Sequence, residues 1–342
     1  MTKLAIVILN WNGKKFLQDY LPSLVKNSQV EGVEIVVADN ASKDGSVEWL
    51  KQEHPDIRTI LLDKNYGFTG GYNRALEQIE AKYFLLLNSD IEVTAGWIPP
   101  LLEHMESDPK CGACTSRIRD LKQKERFEYA GAAGGFIDRH GYPFCRGRIF
   151  DSLEEDHGQY DDPQRIFWGS GACLLVRAEV WREAGGLDED FFAHMEEIDL
   201  CWRMQHLGYH VSYVPGSTVY HLGGGTLQRG NPRKTYLNFR NNLLLLHKNL
   251  PSGKRGRILL IRMLLDGVSA IRFLLTGDVN DFRAVFRAHM SYYGMKKAYR
   301  GMDRSNILRK NDVIAEVVYP GSIVAAFFLK GKKKFSDLDW PK

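Results

Sequence analysis

Two hydrophobic periods alternate along the first 90 residues of the chain. A continuous apolar run predicts a buried strand at 4–9, and short segments rich in apolar residues predict further strands at 33–38, 57–62 and 83–87. Between these runs, apolar residues recur at helical spacing and predict helices at 14–27, 46–52 and 71–80. This strand–helix alternation predicts an α/β fold with a mostly parallel sheet and helices on both of its faces.

Beyond Asp90 the pattern becomes less regular. A helix is predicted at 95–107 and a strand at 111–118, whereas 119–163 is rich in glycine, charge and turn residues and predicts irregular structure over the sheet. Regular elements then return, as a strand at 172–176, helices at 178–184 and 196–206, and short strands at 211–214 and 218–221. After residue 230 the pattern predicts helices alone, which divides the chain into a region 1–230 and a helical region 231–342.

The helical region has unusually wide apolar faces. In the predicted helix 255–276 the polar residues occupy about one third of the circumference, and the predicted helix 282–300 is similar. Such faces are typical of a buried helix or of one lying in a membrane interface. The apolar run 322–329 is followed by the basic run 330–334. The chain has no uninterrupted apolar run long enough to predict a membrane-spanning helix.

Charge separates the same two regions. The 342 residues have a formal net charge of +4 and an ordinary globular composition, which argues against a collagen-like, disordered or disulfide-rich protein. Residues 1–230 carry 24 Lys and Arg against 34 Asp and Glu, whereas residues 231–342 carry 22 against 8. A basic region usually faces an anionic partner. Nucleic acid is one candidate, but the neighbouring apolar faces favour an anionic membrane surface.

The cysteines and the first residues predict a cytoplasmic protein. No signal-peptide pattern precedes the first strand, and an odd number of five cysteines is scattered along the chain. Cys111 and Cys114 form a lone CxxC with no second Cys or His pair at zinc-site spacing.

Polar residues follow each of the first four predicted strands. Asn10 follows the first, Asp39 and Asn40 the second, Asn65 the third, and 88–90 (Asn-Ser-Asp) the fourth. One such residue usually marks a turn, but four in succession favour a polar ligand beyond the carboxyl ends of the strands. The chain has neither a GxGxxG nor a P-loop motif.

Two residues in this group have a more specific predicted role. Asp39 is placed to contact a ribose or base, and Asp90 is placed to bind a divalent cation on a diphosphate. Gly67, Gly70 and Gly71 give either a tight connection into a helix or a bare backbone that a phosphate or sugar can approach.

A second group of polar residues lies later in the chain. Glu196, Glu197 and Asp199 begin a predicted helix, where acids either complement the helix dipole or provide a general base. His221 ends a strand and is either structural or a metal ligand.

Together these segments resemble an inverting family 2 glycosyltransferase of the GT-A fold, nearest its rhamnosyltransferase-like branch. The resemblance covers about residues 3–226 and rests on seven loose motifs in the expected order. These are 10–13, 38–42, 65–73, 87–90, 171–177, 196–203 and His221.

The resemblance implies a role for each matched residue. Asp39, with Asn10 and Asn40, would contact the nucleoside of a sugar donor. The diphosphate and sugar would be lined by Asn65, Gly70, Gly71, Asn73, Asn88 and Ser89. Asp90 and His221 would bind Mg²⁺ or Mn²⁺, and Glu197 would be the general base with Glu196 and Asp199 as supporting acids.

The chain departs from the family pattern at two positions. The metal motif begins with Asn88 instead of an acid, which leaves fewer charged ligands. The base position more often holds Asp, so Glu196 also stays a candidate for the base.

The predicted function is transfer of a hexosyl or rhamnosyl unit from a dTDP- or UDP-linked sugar to a glycan or polyprenyl-diphosphate-linked acceptor. Such an enzyme would lie at the cytoplasmic face of the membrane. A nucleotidyltransferase and a non-catalytic sugar-nucleotide or glycan-binding protein are the alternatives from other classes.

Overall fold

The computed structural model describes residues 2–223, 231–299 and 313–340. Within these ranges, nine strands form a central sheet: β1 (Thr2–Asn10), β2 (Val33–Asp39), β3 (Arg58–Leu61), β4 (Ala81–Leu87), β5 (Ile91–Val93), β6 (Cys111–Asp120), β11 (Gln164–Ile166), β12 (Cys173–Arg177) and β13 (His210–His221). Their order in the sheet is β11-β13-β6-β12-β4-β1-β2-β3, and β5 pairs with β13. Strands β1 to β4 are parallel, and β12 is antiparallel to both β4 and β6. The predicted α/β class is confirmed, but the described sheet is mixed, with as many antiparallel as parallel strand pairings.

Alternate side chains of β1 pack against helices on opposite faces of the sheet. Leu4, Ile6 and Ile8 belong to a buried cluster with α1 (Lys14–Asn27), α2 (Ser46–Glu53) and α4 (Ile98–Ser107). Ala5 and Val7 belong to the opposite cluster with α3 (Gly67–Leu76), α5 (Ala178–Ala184) and α6 (Glu196–His206). Strand residues that are apolar on both sides therefore have a helix layer to cover each side.

Several predicted elements differ from the structure in their bounds, and two of these differences have a clear physical cause. Helix α3 begins at Gly67, four residues before the predicted start, because close packing against β1 and β2 overrides the poor helix propensity of its glycines. The two strands predicted at 211–214 and 218–221 are one strand, β13, with a register shift between Val214 and Thr218. Pro215 and Gly216 occupy this irregularity, which made the pattern look like two strands.

The expectation of irregular structure over 119–163 is wrong in part. This segment forms β7 (Gly135–Asp138), β8 (Pro143–Cys145), β9 (Arg148–Ile149) and β10 (Ser152–Leu153), which build a second small sheet. The sheet is extended by β14 (Val318–Tyr319), which pairs in parallel with β7. Strands of two to four residues are too short to give a readable period.

The helical region begins with three long helices: α7 (Pro232–Asn249), α8 (Ser252–Leu275) and α9 (Val279–Met295). Helix α7 packs against α6, and its residues 243–246 are fully buried. Two short helices follow, α10 (Val313–Glu316) and α11 (Ile323–Phe328). None of the helices in the described ranges is long and apolar enough to cross a membrane.

Some features predicted from the sequence lie outside the described residues. The end of the region 1–230 falls in 224–230, and residue 300 of the predicted helix 282–300 is also outside. The five cysteines are all described, and each is a buried free thiol.

Candidate active site

Asn10 and Asp39 form the floor of the site at the carboxyl ends of β1 and β2. They are register partners, and Asn10 Nδ2 donates to Asp39 Oδ2 over 2.9 Å. The backbone N–H of Ser42 donates to Asp39 Oδ1 over 2.8 Å. Asn10 Oδ1 is buried with no protein partner in the described structure, so it is a free acceptor at this edge of the sheet.

Asn40 and Asn65 shape the turn that leads into α3. Asn40 Nδ2 donates to the carbonyl oxygen of Gly67 over 2.9 Å and to Asn65 Oδ1 over 3.1 Å. Asn40 Oδ1 accepts from the N–H of Tyr66 over 2.9 Å, and Asn65 Oδ1 accepts from the N–H of Gly67 over 2.8 Å. These side chains therefore hold the start of α3 against the end of β2.

The glycines of α3 permit close packing. A Cβ on Gly71 would lie 2.8 Å from the side chain of Leu9, and one on Gly70 would lie 3.0 Å from the Cβ of Tyr66. Gly67 has φ +72°, and a Cβ there would lie 2.6 Å from the ring of Phe192. Close packing is therefore enough to explain why glycine occupies these positions, and the approach of a phosphate is not needed to explain it.

Asn73 faces a different part of the molecule from Asn10 and Asp39. Its Nδ2 donates to the carbonyl oxygen of Leu187 over 2.8 Å, and its Oδ1 accepts from the N–H of Leu187 over 2.9 Å. Both ends of the amide thus anchor α3 to the segment before α6. A donor-binding role for Asn73 stays a prediction.

Asn88, Ser89 and Asp90 form the turn after β4, next to the end of β13. Asp90 Oδ1 lies 3.2 Å from His221 Nε2, and Asn88 Nδ2 lies 3.4 Å from the same nitrogen. Both Asp90 and His221 are buried. The structure therefore brings together the carboxylate and the imidazole that were predicted to bind a cation.

Glu128 is a third member of this cluster that sequence reasoning missed. Its Oε1 lies 3.5 Å from His221 Nδ1, on the opposite side of the imidazole from Asp90. Burial alone would lower the pKa of His221, but Glu128 and Asp90 outweigh it and raise the pKa to about 10. Glu128 lies in 119–163, where no motif marks it.

The chemistry of these residues fits a hard divalent cation. His221 Nδ1 is buried without a well-aligned hydrogen bond, and a histidine that binds a metal through Nε2 typically donates its other N–H to a carboxylate such as Glu128. In the described ranges no group of three or more His, Cys, Asp or Glu residues has the geometry of a metal cage. Two protein ligands plus diphosphate oxygens and water suit Mg²⁺ or Mn²⁺.

Glu196 and Glu197 begin α6 after a strained turn. Phe192, His194 and Met195 have φ of 63°, 70° and 73°, a conformation that is costly for residues other than glycine. One oxygen of each glutamate, Oε2, is buried with no partner in the described structure. The backbone is thus held in a costly conformation that presents two carboxyl groups, each with one unpaired oxygen.

Burial affects the two glutamates differently. It raises the pKa of Glu197 to about 7, whereas burial together with the neighbouring Glu197 carboxylate raises the pKa of Glu196 well above its usual range. Glu196 is buried, whereas Glu197 is partly open to solvent. A carboxyl group that ionises near neutral pH is suited to general base catalysis, which favours Glu197 over Glu196.

Glu197 lies at the same edge of the sheet as the cation ligands. A Cβ on Gly171 would lie 3.7 Å from the Cβ of Glu197. The next residue, Ala172, accepts a hydrogen bond from the N–H of Asn88 over 2.9 Å. The segment 171–172 therefore separates Glu197 from the turn that contains Asp90.

Asp199 has a structural environment unlike that of the two glutamates. Its carboxylate accepts from Arg203 Nε over 2.7 Å, Lys248 Nζ over 2.8 Å and Asn249 Nδ2 over 2.8 Å. Burial raises its pKa, but Arg203 and Lys248 outweigh this and hold the pKa of Asp199 well below its usual range. These contacts attach α7 to α6, so Asp199 supports the glutamates only indirectly.

The arrangement of strands and helices defines a GT-A glycosyltransferase fold. Solved structures of similar architecture include GalNAc-T7 with UDP, GalNAc and Mn²⁺, with TM-score 0.56, 16% identity and matches over 72% of this chain and 48% of that one. The mannosyltransferase PcManGT from Pyrobaculum calidifontis, in complex with GDP-Man and Mn²⁺, has TM-score 0.53 and 14% identity over 90% of this chain and 85% of that one.

The family model for glycosyl transferase family 2 matches residues 5–179, and the chain belongs to this family. An N-acetylglucosaminyl-diphospho-decaprenol L-rhamnosyltransferase from Mycobacterium tuberculosis is 27% identical over 233 residues, which are 64% of this chain and 75% of the relative. A low-salt glycan biosynthesis hexosyltransferase from Haloferax volcanii is 24% identical over 70% of this chain and 74% of its own length. The predicted family and enzyme class are confirmed, which favours glycosyl transfer over the nucleotidyl-transfer alternative.

Proposed function

We propose that this glycosyltransferase moves a hexosyl or rhamnosyl unit from a dTDP- or UDP-linked sugar to a hydroxyl group of a glycan or polyprenyl-diphosphate-linked glycan, with inversion. The observation that carries the proposal is the Glu197 carboxyl group, with one unpaired oxygen, at the same edge of the sheet as the Asp90–His221 pair. The mycobacterial relative is named for a polyprenyl-diphosphate-linked acceptor, and both structural neighbours were solved with a nucleotide and Mn²⁺.

Each end of the site has a part in this reaction. Asp39 and Asn10 hold the nucleoside, and Asp90 and His221 hold a Mg²⁺ or Mn²⁺ ion. When bound, the ion neutralises charge on the diphosphate leaving group.

The Glu197 carboxylate takes the proton of the acceptor hydroxyl as the hydroxyl oxygen forms a bond to the anomeric carbon. The bond from that carbon to the diphosphate breaks on the opposite face, and the nucleoside diphosphate leaves. One displacement inverts the configuration.

The donor and the cation are tested together. The protein is screened by thermal shift with UDP- and dTDP-linked sugars, with and without Mn²⁺, and release of nucleoside diphosphate is measured for those that bind. We expect stabilisation by a nucleotide sugar that depends on the ion. The absence of a shift and of nucleoside diphosphate release for all donors would contradict the proposal.

We further propose that the helical region holds the enzyme on the cytoplasmic face of an anionic membrane. Its net positive charge lies next to apolar side chains that α8 exposes to solvent, including Leu264, Val268 and Ile271. The test is co-sedimentation with vesicles of phosphatidylglycerol and phosphatidylcholine. We expect binding that weakens with salt and with the double change Leu264→Ser and Val268→Ser. Equal binding to neutral vesicles of phosphatidylcholine alone would contradict the electrostatic part.

A further inference from the structure

A basic cavity of about 760 Å³ opens between the N-terminal halves of α7 and α9. Its lining includes Arg233 and Arg240 from α7 and Arg283 and Arg287 from α9, which we call the arginine cleft. No Asp or Glu contributes to the lining within the described ranges. A large cavity with four guanidinium groups is suited to a multiply charged anion.

Among the described residues, none of the four arginines of the cleft has an ion-pair partner. Across 2–223, 231–299 and 313–340, no carboxylate lies within 4.0 Å of any of these four guanidinium groups. Arg240 instead donates to the backbone carbonyl oxygens of Asp190 and Phe191, over 2.8 and 3.0 Å.

Tyr236, in the lining, responds to this charge. Burial raises the pKa of its hydroxyl, but a hydrogen bond with Ser291 and the charges of Arg240 and Arg287 outweigh burial, so the pKa of Tyr236 lies below its ordinary value.

The cleft adjoins the turn that presents the glutamates. The ring of Phe192 forms one wall of the cavity, with the Arg233 guanidinium 5.0 Å from its centroid. Asn241, next to Arg240, donates to the carbonyl oxygens of Phe191, Ala193 and His194 over 2.7 to 2.9 Å. An anion in the cleft would therefore lie beside the segment that leads into Glu197.

An exposed apolar surface continues from the cleft along α9. Phe286, Met290 and Tyr293 are 66%, 59% and 46% exposed. Phe286 and Met290 lie within one helical turn of Arg287, so apolar and basic side chains occupy neighbouring strips of the same helix. The combination matches a ligand with a diphosphate head and a long hydrocarbon tail.

We propose that the arginine cleft binds the diphosphate of a polyprenyl-diphosphate-linked acceptor, with the prenyl chain along the exposed apolar side chains of α9. The inference rests on the proposed function, since it assigns a site to the acceptor of that reaction. The diphosphate of a nucleotide donor and the phosphates of a lipid bilayer are also anions that arginine side chains bind. The test therefore distinguishes the acceptor diphosphate from these two.

The test uses the full-length protein and three probes: farnesyl diphosphate, farnesol and UDP with Mn²⁺. The double variant Arg283→Gln and Arg287→Gln is compared with a control, Arg257→Gln and Arg272→Gln, which removes two exposed arginines of α8. Calorimetry measures binding of each probe, and co-sedimentation measures binding to phosphatidylglycerol vesicles.

We expect the cleft variant to bind farnesyl diphosphate about a hundredfold more weakly, with the control unchanged. Farnesol binding and UDP binding should be the same in all three proteins, and vesicle binding should fall equally in both variants. The proposal is overturned if farnesyl diphosphate binding survives in the cleft variant or falls equally in the control. It is also overturned if UDP binding falls in parallel, which would make the cleft part of the donor site.

These measurements do not depend on turnover. If no nucleotide sugar binds in the thermal-shift screen, the proposed function fails, whatever the result with farnesyl diphosphate. If donors bind but the cleft variant binds farnesyl diphosphate as tightly as the wild type does, the proposed acceptor site is wrong and the proposed function stands.

Discussion

The first turn of α6 and the junction between α6 and α7 contain acids of opposite character. Glu196 and Glu197 each have a buried oxygen with no partner in the described structure, and they follow a strained turn. Asp199, two residues later, is fully buried but is surrounded by Arg203, Lys248 and Asn249. The same helix thus begins with two acids that each have an unpaired oxygen and, two residues on, has a paired acid at its contact with α7.

The difference separates a chemical role from a structural one. A carboxyl group that must accept a proton needs a free oxygen and an ionisation near neutral pH, and both destabilise the folded protein. A carboxyl group that joins two helices is stabilised by partners that hold it ionised. Substitutions at the two places should therefore affect different measurements.

The largest effect is expected from Glu197→Gln. The amide keeps the size of the side chain but cannot accept the proton, so transfer should fall by roughly 10²–10⁴-fold. Because Glu197 Oε2 has no partner to lose within the described residues, the free energy of unfolding should not decrease. Initial rates and urea unfolding measure the two quantities.

Glu196→Gln is the matched comparison for that change. Burial and the neighbouring Glu197 carboxylate raise the pKa of Glu196 well above its usual range, which favours its protonated form. The amide resembles that form, so it should preserve most of the activity. A loss of transfer in Glu196→Gln with near-normal turnover in Glu197→Gln would reverse the assignment.

The next largest effect is expected from Lys248→Met. Removal of the ammonium leaves Asp199 with one ionic partner fewer in a buried position, which should cost about 3–5 kcal/mol of unfolding free energy. Lys254→Met, at an exposed position of α8, is the control and should change stability by less than about 0.5 kcal/mol. Equal stability of the two variants in urea would show that the junction does not depend on this ion pair.

Glu128 is intermediate between these two kinds of acid. Its carboxylate is paired with His221, and through that contact it would orient a side chain that binds the cation. Glu128→Gln should weaken binding of Mn²⁺ in the presence of UDP by about 10–100-fold, because the imidazole loses the carboxylate that orients it. Electron paramagnetic resonance of free Mn²⁺ measures this without turnover. Glu125→Gln, exposed in the same segment, should bind Mn²⁺ as the wild type does. If both variants bind equally well, Glu128 has no positioning role.

The smallest effect is expected from pH. The pKa of Glu197 is about 7, so its basic form is the minority below that pH and the majority above it. The value of kcat/KM should therefore rise about tenfold per pH unit on the acid side and level off above pH 7. The residual activity of Glu197→Gln should not show this rise of kcat/KM with pH. A flat wild-type profile between pH 5.5 and 8 would contradict a base with this pKa.

The sequence predicted the parts of the site that depend on local pattern. Asn10, Asp39 and Asp90 lie at or just after the ends of strands rich in apolar residues, and the bounds of α6 follow its helical period. These signals lie within one element each, so no knowledge of tertiary contacts was needed.

The remaining features depend on residues that are distant in sequence. The acids at the start of α6 look alike in the sequence, and only the position of Lys248 separates Asp199 from the others. Glu128 lies between strands too short to have a readable period. The arginine cleft combines α7 with α9, and neither helix alone indicates that their arginines face one cavity.

The pairing of β14 with β7 has a consequence for the order in which the chain folds during synthesis. The N–H of Ile323 donates to Asp138, 185 residues earlier, and Trp340 packs against the rings of Phe136 and Phe144. At ribosomal speeds of about 5–20 residues per second, β7 would wait roughly 10–40 s for these partners. During that interval the aromatic side chains that Trp340 covers and the strand edge that β14 pairs with stay uncovered, so the small sheet is open to aggregation until the C-terminal segment has been made.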